Sequence, residues 1–517
     1  MIPSKIGSVS QPHQIASRLG ERALGILEHG DPAVALALSW LAMLLVQEAS
    51  PNIIGIDGYY HIKFAWLMRQ DGLRLEFPWL PLTILNPRDF TDHHLLYHVL
   101  LVPFTFLDLR EGAKLAGLVF SFLAVFATYW LMTRLRIRYA PVWLVVLLGS
   151  SEWFLARESM TRRQSVSLTL LLLATYLLVE GRFRWLLPLA SAYAWLYDGF
   201  ILLLAVAGLG FGARLIADRR PAWPVLGWTV LGLGLALVFN PYFPNDVRFT
   251  YLHLLPKVIP ESEVQVGSEW YPYTLPILLE TSWLALLLLP LGLLPAVRAP
   301  RRVLSDRTAL FLAGLAVLFL ALYLRSRRFI EIQPPFAVLF CSYAWARYFP
   351  AGGVGGLLAR LPRTARVGLA LATLLALGGQ TWMTIQHAQE NVAMGRHFTT
   401  FEAASLWVQQ NSQPGERVYQ TDWDVFPELF FYNTSNTYTI GLDPTYLFLA
   451  DPQLYRQWNI IGHGEAELPS GAIRDQFGAR WVVTDRAHQA FIAQAAGDPD
   501  MAIVFEAPGA IVYRVGG

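Results

Sequence analysis

Hydrophobic and polar positions are laid out along this chain in long blocks, not in the short alternations of a soluble domain. Eleven apolar runs stand out, at residues 33–46, 115–132, 142–154, 166–179, 186–197, 200–215, 225–239, 275–297, 309–324, 336–349 and 367–385. Runs approaching the roughly 20 residues a helix needs to cross a bilayer predict a polytopic α-helical membrane protein of about eleven spans. A further run, 95–107, is only about half a span long and contains Pro103. It is expected to stay on the outer side as a re-entrant or interfacial piece.

Basic clusters then set the orientation, because cytoplasmic loops carry the excess of Lys and Arg. Arg134, Arg136 and Arg138 follow one run, Arg182 and Arg184 another, and Arg214, Arg219 and Arg220 a third. Arg298, Arg301 and Arg302, and then Arg360, Arg363 and Arg366, mark two more such loops. The arrangement predicts a cytoplasmic N-terminal segment 1–31, a transmembrane domain 32–386 and outer loops 50–111 and 240–273. The first 30 residues lack the short apolar core of a signal peptide.

From residue 398 to 517 the pattern changes. Thr399 with Glu402 reads as a capping box opening a helix through Trp407. Short β-like runs follow at 417–421, 438–442, 480–484, 502–505 and 511–514, with helical stretches between them. This predicts a C-terminal soluble α/β domain on the outer face. The expected location is the cytoplasmic (plasma) membrane, crossed many times.

Composition agrees with that layout. Of 517 residues, 54% are hydrophobic and 15% charged, against about 25% charged in a soluble domain. An ordinary cytosolic enzyme and a disordered chain are excluded. A net charge of +2 gives no reason to expect nucleic acid. The single cysteine, Cys341, excludes an internal disulfide framework and a Cys-based zinc site.

With so little charge, its placement carries information. Asp57, His61 and Lys63 follow the first run, and Asp57 and His61 share a face if that stretch is helical. Asp89, Asp92, His93, His94 and His98 come next; Arg157, Glu158, Arg162 and Arg163 follow the third run. Glu261, Glu263 and Glu269 lie in loop 240–273, and Arg325, Arg327 and Arg328 follow the ninth run. Arginines at outer borders run against the positive-inside preference. A phosphate, which Arg grips bidentately, would account for them, and so would the nearby carboxylates. Acids at the same level suit a divalent ion. Metal and arginine over a diphosphate would stabilise a leaving group as its charge grows. Each feature also has a plain structural reading. Asp57 would cap an interfacial helix, and His93 and His94 would be a border pair. Arg325 to Arg328 would snorkel to lipid, Glu263 would be solvated surface, and Asp198 would be a turn residue.

The order of motifs resembles the catalytic subunit of oligosaccharyltransferases, within the GT-C class of membrane glycosyltransferases. Asp57-Gly58-Tyr59-Tyr60-His61-Ile62-Lys63 looks like that family's Asp-Pro-Tyr-Tyr-x-x-Arg stretch, whose Asp binds the metal. Phe154-Leu155-Ala156-Arg157 resembles its Tyr-Leu-Ser-Arg. Ala194-Trp195-Leu196-Tyr197-Asp198-Gly199-Phe200 sits where the family has Trp-Gly-Gly-Tyr. Ser262-Glu263-Val264-Gln265 resembles the Ser-Glu-x-Gln of the acceptor-covering loop, and Arg328-Phe329 the Arg-Phe near the lipid phosphate. Trp423-Asp424 falls where the family has Trp-Trp-Asp-Tyr-Gly.

The resemblance implies transfer of a sugar or oligosaccharide from a polyprenyl (di)phosphate carrier to a protein or glycan acceptor at the outer face, as in protein glycosylation. Asp57 and Glu263 would serve catalysis. Arg157, Arg162, Arg163 and Arg328 would bind the carrier phosphate, and Trp423 and Asp424 the acceptor. The family's second acidic motif is replaced here by Arg162-Arg163-Gln164. Either a site for Mg2+ or Mn2+ is rebuilt from Asp57 with Asp92, His93 or Glu158, or arginines take the metal's electrostatic role. The second option matches the metal-independent transferases of the class, which move one sugar from a polyprenyl monophosphate to a glycan or lipid. A non-catalytic transporter or assembly scaffold is the rival from outside enzymology.

Overall fold

The computed structural model describes residues 31–258, 263–264, 266–349 and 361–516. The expected cytoplasmic segment, apart from Asp31, lies outside the described residues, as do Glu261, Ser262, Gln265 and Arg360. All eleven apolar runs form helices. The first, Pro32–Gln47, starts where Asp31 accepts a hydrogen bond from the Ala33 N–H and Pro32 occupies the first turn, an end-satisfying arrangement that needs no donor from proline. Among the described residues five helices are long and apolar enough to cross a membrane: Leu109–Arg134, Ile201–Asp218, Leu275–Val297, Arg307–Arg325 and Thr364–Ala393. Pro32–Gln47, Gln164–Glu180 and Trp223–Val238 are shorter apolar helices.

Two helices are interrupted, each for a visible reason. The run 142–154 splits into Ala140–Leu148 and Glu152–Glu158. Leu275–Val297 loses helical geometry at Ser282. The two breaks meet: the Ser151 and Ser282 hydroxyls lie 2.9 Å apart, and Ser282 is 2.8 Å from the Tyr323 hydroxyl. A buried polar chain of this kind satisfies groups that an unbroken helix would leave alone. The half-span is a short helix, Leu95–Leu101, continued by a 3-10 turn over Val102–Phe106 that accommodates Pro103.

The last long helix, Arg363–Ala393, is mostly uncovered along its apolar part. Its end docks. His387 and Asn391 reach the two oxygens of Glu152 at 3.1 and 3.2 Å, and the Gln389 amide donates to the Leu45 carbonyl at 2.8 Å.

The C-terminal domain is an α/β unit built on a five-stranded sheet of order β2-β1-β3-β5-β4. Its strands are β1 (Arg417–Gln420), β2 (Thr437–Tyr438), β3 (Ala479–Asp485), β4 (Met501–Glu506) and β5 (Ala510–Val515). β1 runs parallel to β2 and β3, whereas β5 pairs antiparallel with both β3 and β4. Four strands fall on the predicted β-like runs, and β2 shares only Tyr438 with the run 438–442. The capping box does not form. Helix Glu402–Asn411 has no side-chain cap, and the Thr399 hydroxyl meets His397 Nδ1 at 2.8 Å instead. The helix starts only at Glu402, with Phe401 in the N-cap position, so Thr399 stands two residues too early to cap it.

This domain is fused to segment 50–111 by one aromatic core. Trp79 packs edge-on against Phe430, its indole donates to the Thr434 carbonyl at 2.8 Å, and its own carbonyl accepts from the Tyr438 N–H at 2.7 Å. Phe77 stacks on Phe90 at 4.5 Å. Close approach is also required at Gly441, where a Cβ would fall 2.3 Å from Phe426 Cγ. The domain therefore forms a fixed wall over the end of the bundle.

Candidate active site

Between that wall and the helical bundle lies a cavity of about 660 Å³. The bundle contributes Asp57 and His61 from helix Asp57–Asp71, and Arg157 from Glu152–Glu158. Arg162 and Arg163 come from the turn that follows, and Arg328 from the 3-10 turn Arg327–Glu331. Glu269 and Trp270 enter from the loop 240–273, and Trp423 and Asp424 from the C-terminal domain. All four nominated arginines thus face one space, although some 170 residues separate the first from the last.

Glu269 sits at the centre of the charge. Its carboxylate pairs with Arg157 at 2.7 Å and with Arg162 and Arg328 at 3.2 Å each. Burial alone would raise its pKa; Arg162, Arg328 and Arg157 overcome this and hold the carboxyl well below its usual range. Arg157 is also held by Glu331 at 2.6 Å, and Arg162 by Asp57 at 3.0 Å. Arg328 lies over the Trp270 ring at 4.8 Å, a cation–π contact that fixes the guanidinium without spending its hydrogen bonds. Arg163 differs from the other three. It is 8% exposed, lies 5.1 Å from the Tyr197 ring centre, and forms no ion pair among the described residues. A buried guanidinium without a counterion is costly unless an anion arrives.

The opposite wall is acidic. Asp424 pairs with Arg396 at 3.1 Å, and burial followed by the neighbouring Asp422 raises its carboxyl to about 6. Glu428 behind it is raised to about 7, by burial above all. Trp423 packs against the loop at Gly267, where a Cβ would lie 3.7 Å from the indole. Asp198 lines the cavity and meets His253 Nε2 at 2.5 Å, so it does more than shape a turn.

Two expectations are corrected here. Glu263 does not reach the cavity; it is exposed and pairs with Arg456 at 2.9 Å on the surface of the C-terminal domain. The loop holds two Ser-Glu pairs, and the second, Ser268-Glu269, is the one inside. Nor do the four nominated metal ligands converge. Asp57 is taken by Arg162, and Asp92 by His98 Nδ1 at 2.7 Å. His93 stacks on Phe249 at 4.5 Å, and burial pushes its imidazole down to about 3. Glu158 is fully buried, and burial raises its carboxyl well above the usual range, which favours the neutral acid. Among the described residues no three His, Cys, Asp or Glu side chains are grouped as a metal would need. A divalent ion wants free anionic oxygens, and here Asp57 is held by a guanidinium, Asp92 by an imidazole, and Glu158 by burial that favours its neutral form.

No family model matches the sequence. Solved structures do resemble this one. The archaeal oligosaccharyltransferase AglB from Archaeoglobus fulgidus, in complex with an inhibitory peptide and a dolichol-phosphate, superposes with a TM-score of 0.66. The match has 14% identity and covers 90% of this chain and 71% of that one. ArnT from Cupriavidus metallidurans, bound to undecaprenyl phosphate, gives a TM-score of 0.55 at 16% identity, covering 93% and 97%. The mycobacterial arabinofuranosyltransferase AftD gives 0.54 at 15% identity, covering 94% of this chain and 41% of its own. A local likeness, 34% identity over 67 residues, links 12% of this chain to 72% of the MICOS complex subunit mic10 of Schizosaccharomyces pombe; it describes that stretch and leaves the rest of the chain untouched. Over nine-tenths of its length, the chain has the fold of the GT-C membrane glycosyltransferases.

Proposed function

We propose that this protein is a membrane glycosyltransferase that moves a sugar from a polyprenyl phosphate carrier to an acceptor bound against the C-terminal domain. The observation that carries the reading is Arg163, buried at the cavity wall with no ion pair among the described residues, beside Arg157, Arg162 and Arg328. Four guanidiniums at one cavity suit a leaving phosphate whose negative charge grows as the glycosidic bond breaks. Glu269 occupies the phosphate's place among three of them, and the donor displaces it. Asp57 orients Arg162. Trp423 offers the flat apolar surface on which a sugar ring or peptide rests, and Asp424 a hydrogen-bond acceptor beside it.

The charge balance favours a monophosphate donor. Once Glu269 is displaced, the four arginines face only Asp57 and Glu331, leaving two net positive charges for the donor. A sugar phosphodiester carries one negative charge, and its leaving group two. A diphosphate would bring more charge than the site balances, and the residues do not fit a divalent ion that would supply the difference. The outer face remains the expected side.

The test uses the full chain in lipid nanodiscs with synthetic polyprenyl-phosphate sugars. Release of polyprenyl phosphate and transfer of label to an acceptor are expected, and Arg163→Met loses both. Equal binding of a polyprenyl phosphate and the neutral polyprenol would overturn the reading.

A further inference from the structure

A chain of three buried side chains ends at the cavity beside Asp57. Asp92 Oδ2 lies 2.7 Å from His98 Nδ1, and His98 Nε2 lies 2.8 Å from His61 Nδ1. Asp92, His98 and His61 are 3%, 0% and 2% exposed. Three different segments bring them together: the loop before Leu95, helix Leu95–Leu101 and helix Asp57–Asp71.

The hydrogen-bond roles along this chain follow from the acid at its end. An ionised carboxylate only accepts, so His98 carries its proton on Nδ1. The Nε2 of a neutral His98 is then a lone pair, which accepts from His61 Nδ1–H. That leaves the lone pair of His61 on Nε2. This atom is buried without a hydrogen-bond partner among the described residues, at a residue that lines the cavity, so an acceptor must seat closely against the ring to reach it. The rings are held by packing: Phe64 lies 4.5 Å from His98, and Tyr97 lies 5.1 Å edge-on to His61. Asp57, one turn earlier on the same helix, is bound to Arg162.

We propose that His61 is the general base of the transfer, with His98 and Asp92 as its positioning residues; the assignment rests on the glycosyl-transfer reading above. The acceptor hydroxyl oxygen bonds to the anomeric carbon as the bond from that carbon to the phosphate oxygen breaks. The electron pair leaves with the polyprenyl phosphate. The hydroxyl proton passes to His61 Nε2. The imidazolium so formed donates through Nδ1–H to His98, and Asp92 stabilises the charge from the far end of the chain. Arg162 and Arg163 oppose that positive charge from the cavity, and the departing phosphate drawn to them grows more negative in the same step. An acidic group two bonds away in a relay has this orienting and stabilising role in other hydrolytic triads.

The experiment measures transfer from a synthetic polyprenyl-phosphate sugar by the full chain in nanodiscs. His61→Gln keeps the side chain polar but cannot take the proton; kcat is expected to fall at least about 100-fold, the lower end of general-base contributions. Binding of polyprenyl phosphate stays unchanged. Asp92→Asn and His98→Asn are expected to lower kcat about tenfold at unchanged KM for the donor. Added imidazole restores turnover to His61→Ala, which it would not do for a histidine with a packing role alone. His61→Gln or Asp92→Asn with kcat within threefold of wild type overturns the relay, as does a folded His61→Ala that imidazole fails to rescue. If His61→Ala does not fold, His61→Gln and Asp92→Asn decide. Wild-type protein that cleaves no polyprenyl-phosphate sugar overturns the glycosyl-transfer reading itself, a result distinct from an active His61→Gln.

Discussion

Glu269→Gln removes one charge at nearly constant volume, and the structure fixes what that should do. Three guanidiniums contact the carboxylate at 2.7, 3.2 and 3.2 Å. Breaking a buried ion pair by removing one partner costs about 3–5 kcal/mol. The Glu269 side chain is 20% exposed, and Arg157 and Arg162 keep Glu331 and Asp57, so about 2–3 kcal/mol is expected here. The ligand-free variant should therefore unfold earlier than wild type. Its affinity should move the other way, because a phosphate no longer has to displace an anion. A gain of at least about tenfold, or 1.4 kcal/mol, is expected for a polyprenyl phosphate. Thermal unfolding in nanodiscs, with and without the lipid, reads both effects. Equal stability of the ligand-free proteins, or weaker lipid binding by the variant, would refute the placeholder role. The pH dependence has a definite sign. The folded carboxyl titrates below its usual value of 4.5, so its contribution is complete above that pH and is lost as pH falls further.

Three more outcomes follow from the same contacts. EDTA should leave sugar transfer unchanged, because the nominated metal ligands are dispersed and Asp57 and Asp92 are already paired; loss of activity restored by Mg2+ or Mn2+ would refute this. Glu263→Ala should change stability by less than about 1 kcal/mol, since its exposed pair with Arg456 is a surface contact, and transfer rates should stay within twofold. Glu428 is raised from 4.5 to about 7, chiefly by burial; the folded state loses stability as pH rises through that window. Glu428→Gln should remove the slope and stabilise the protein at pH 8 by on the order of 2 kcal/mol, which denaturation followed at pH 5 and pH 8 would detect.

Much of the architecture was legible because long apolar blocks and short alternating runs are local signals. Every predicted apolar run became helical, and four of the five β-like runs became strands, while 438–442 contributes only Tyr438 to one. Arg157, Arg162, Arg163 and Arg328 could be grouped from their shared position at run ends. Their counterion could not. Glu263 and Glu269 have nearly the same local context, and only the path of the loop over Trp423 and Arg328 decides which enters. The metal reading failed for a related reason. Acids on one side of a membrane look available until the structure gives Asp57 to Arg162 and Asp92 to His98. Asp57 and His61 were visible as a helical pair, but the link from His61 through His98 to Asp92 crosses three segments, and no spacing encodes it.

The last long helix bears on where the chemistry happens. Arg363–Ala393 has 31 residues, about 46 Å at 1.5 Å each, whereas a bilayer's hydrocarbon core is about 30 Å thick. Its apolar stretch ends near Ile385, and the polar remainder is clamped to Glu152 and Leu45. The excess is a pinned strut that fixes where the chain leaves the bundle for the C-terminal domain. Because the same clamp sits on the short helix that carries Arg157, the arginines and the acceptor wall are levelled by one strut. Bending or shortening that strut should therefore move both walls of the cavity together and leave its shape unchanged.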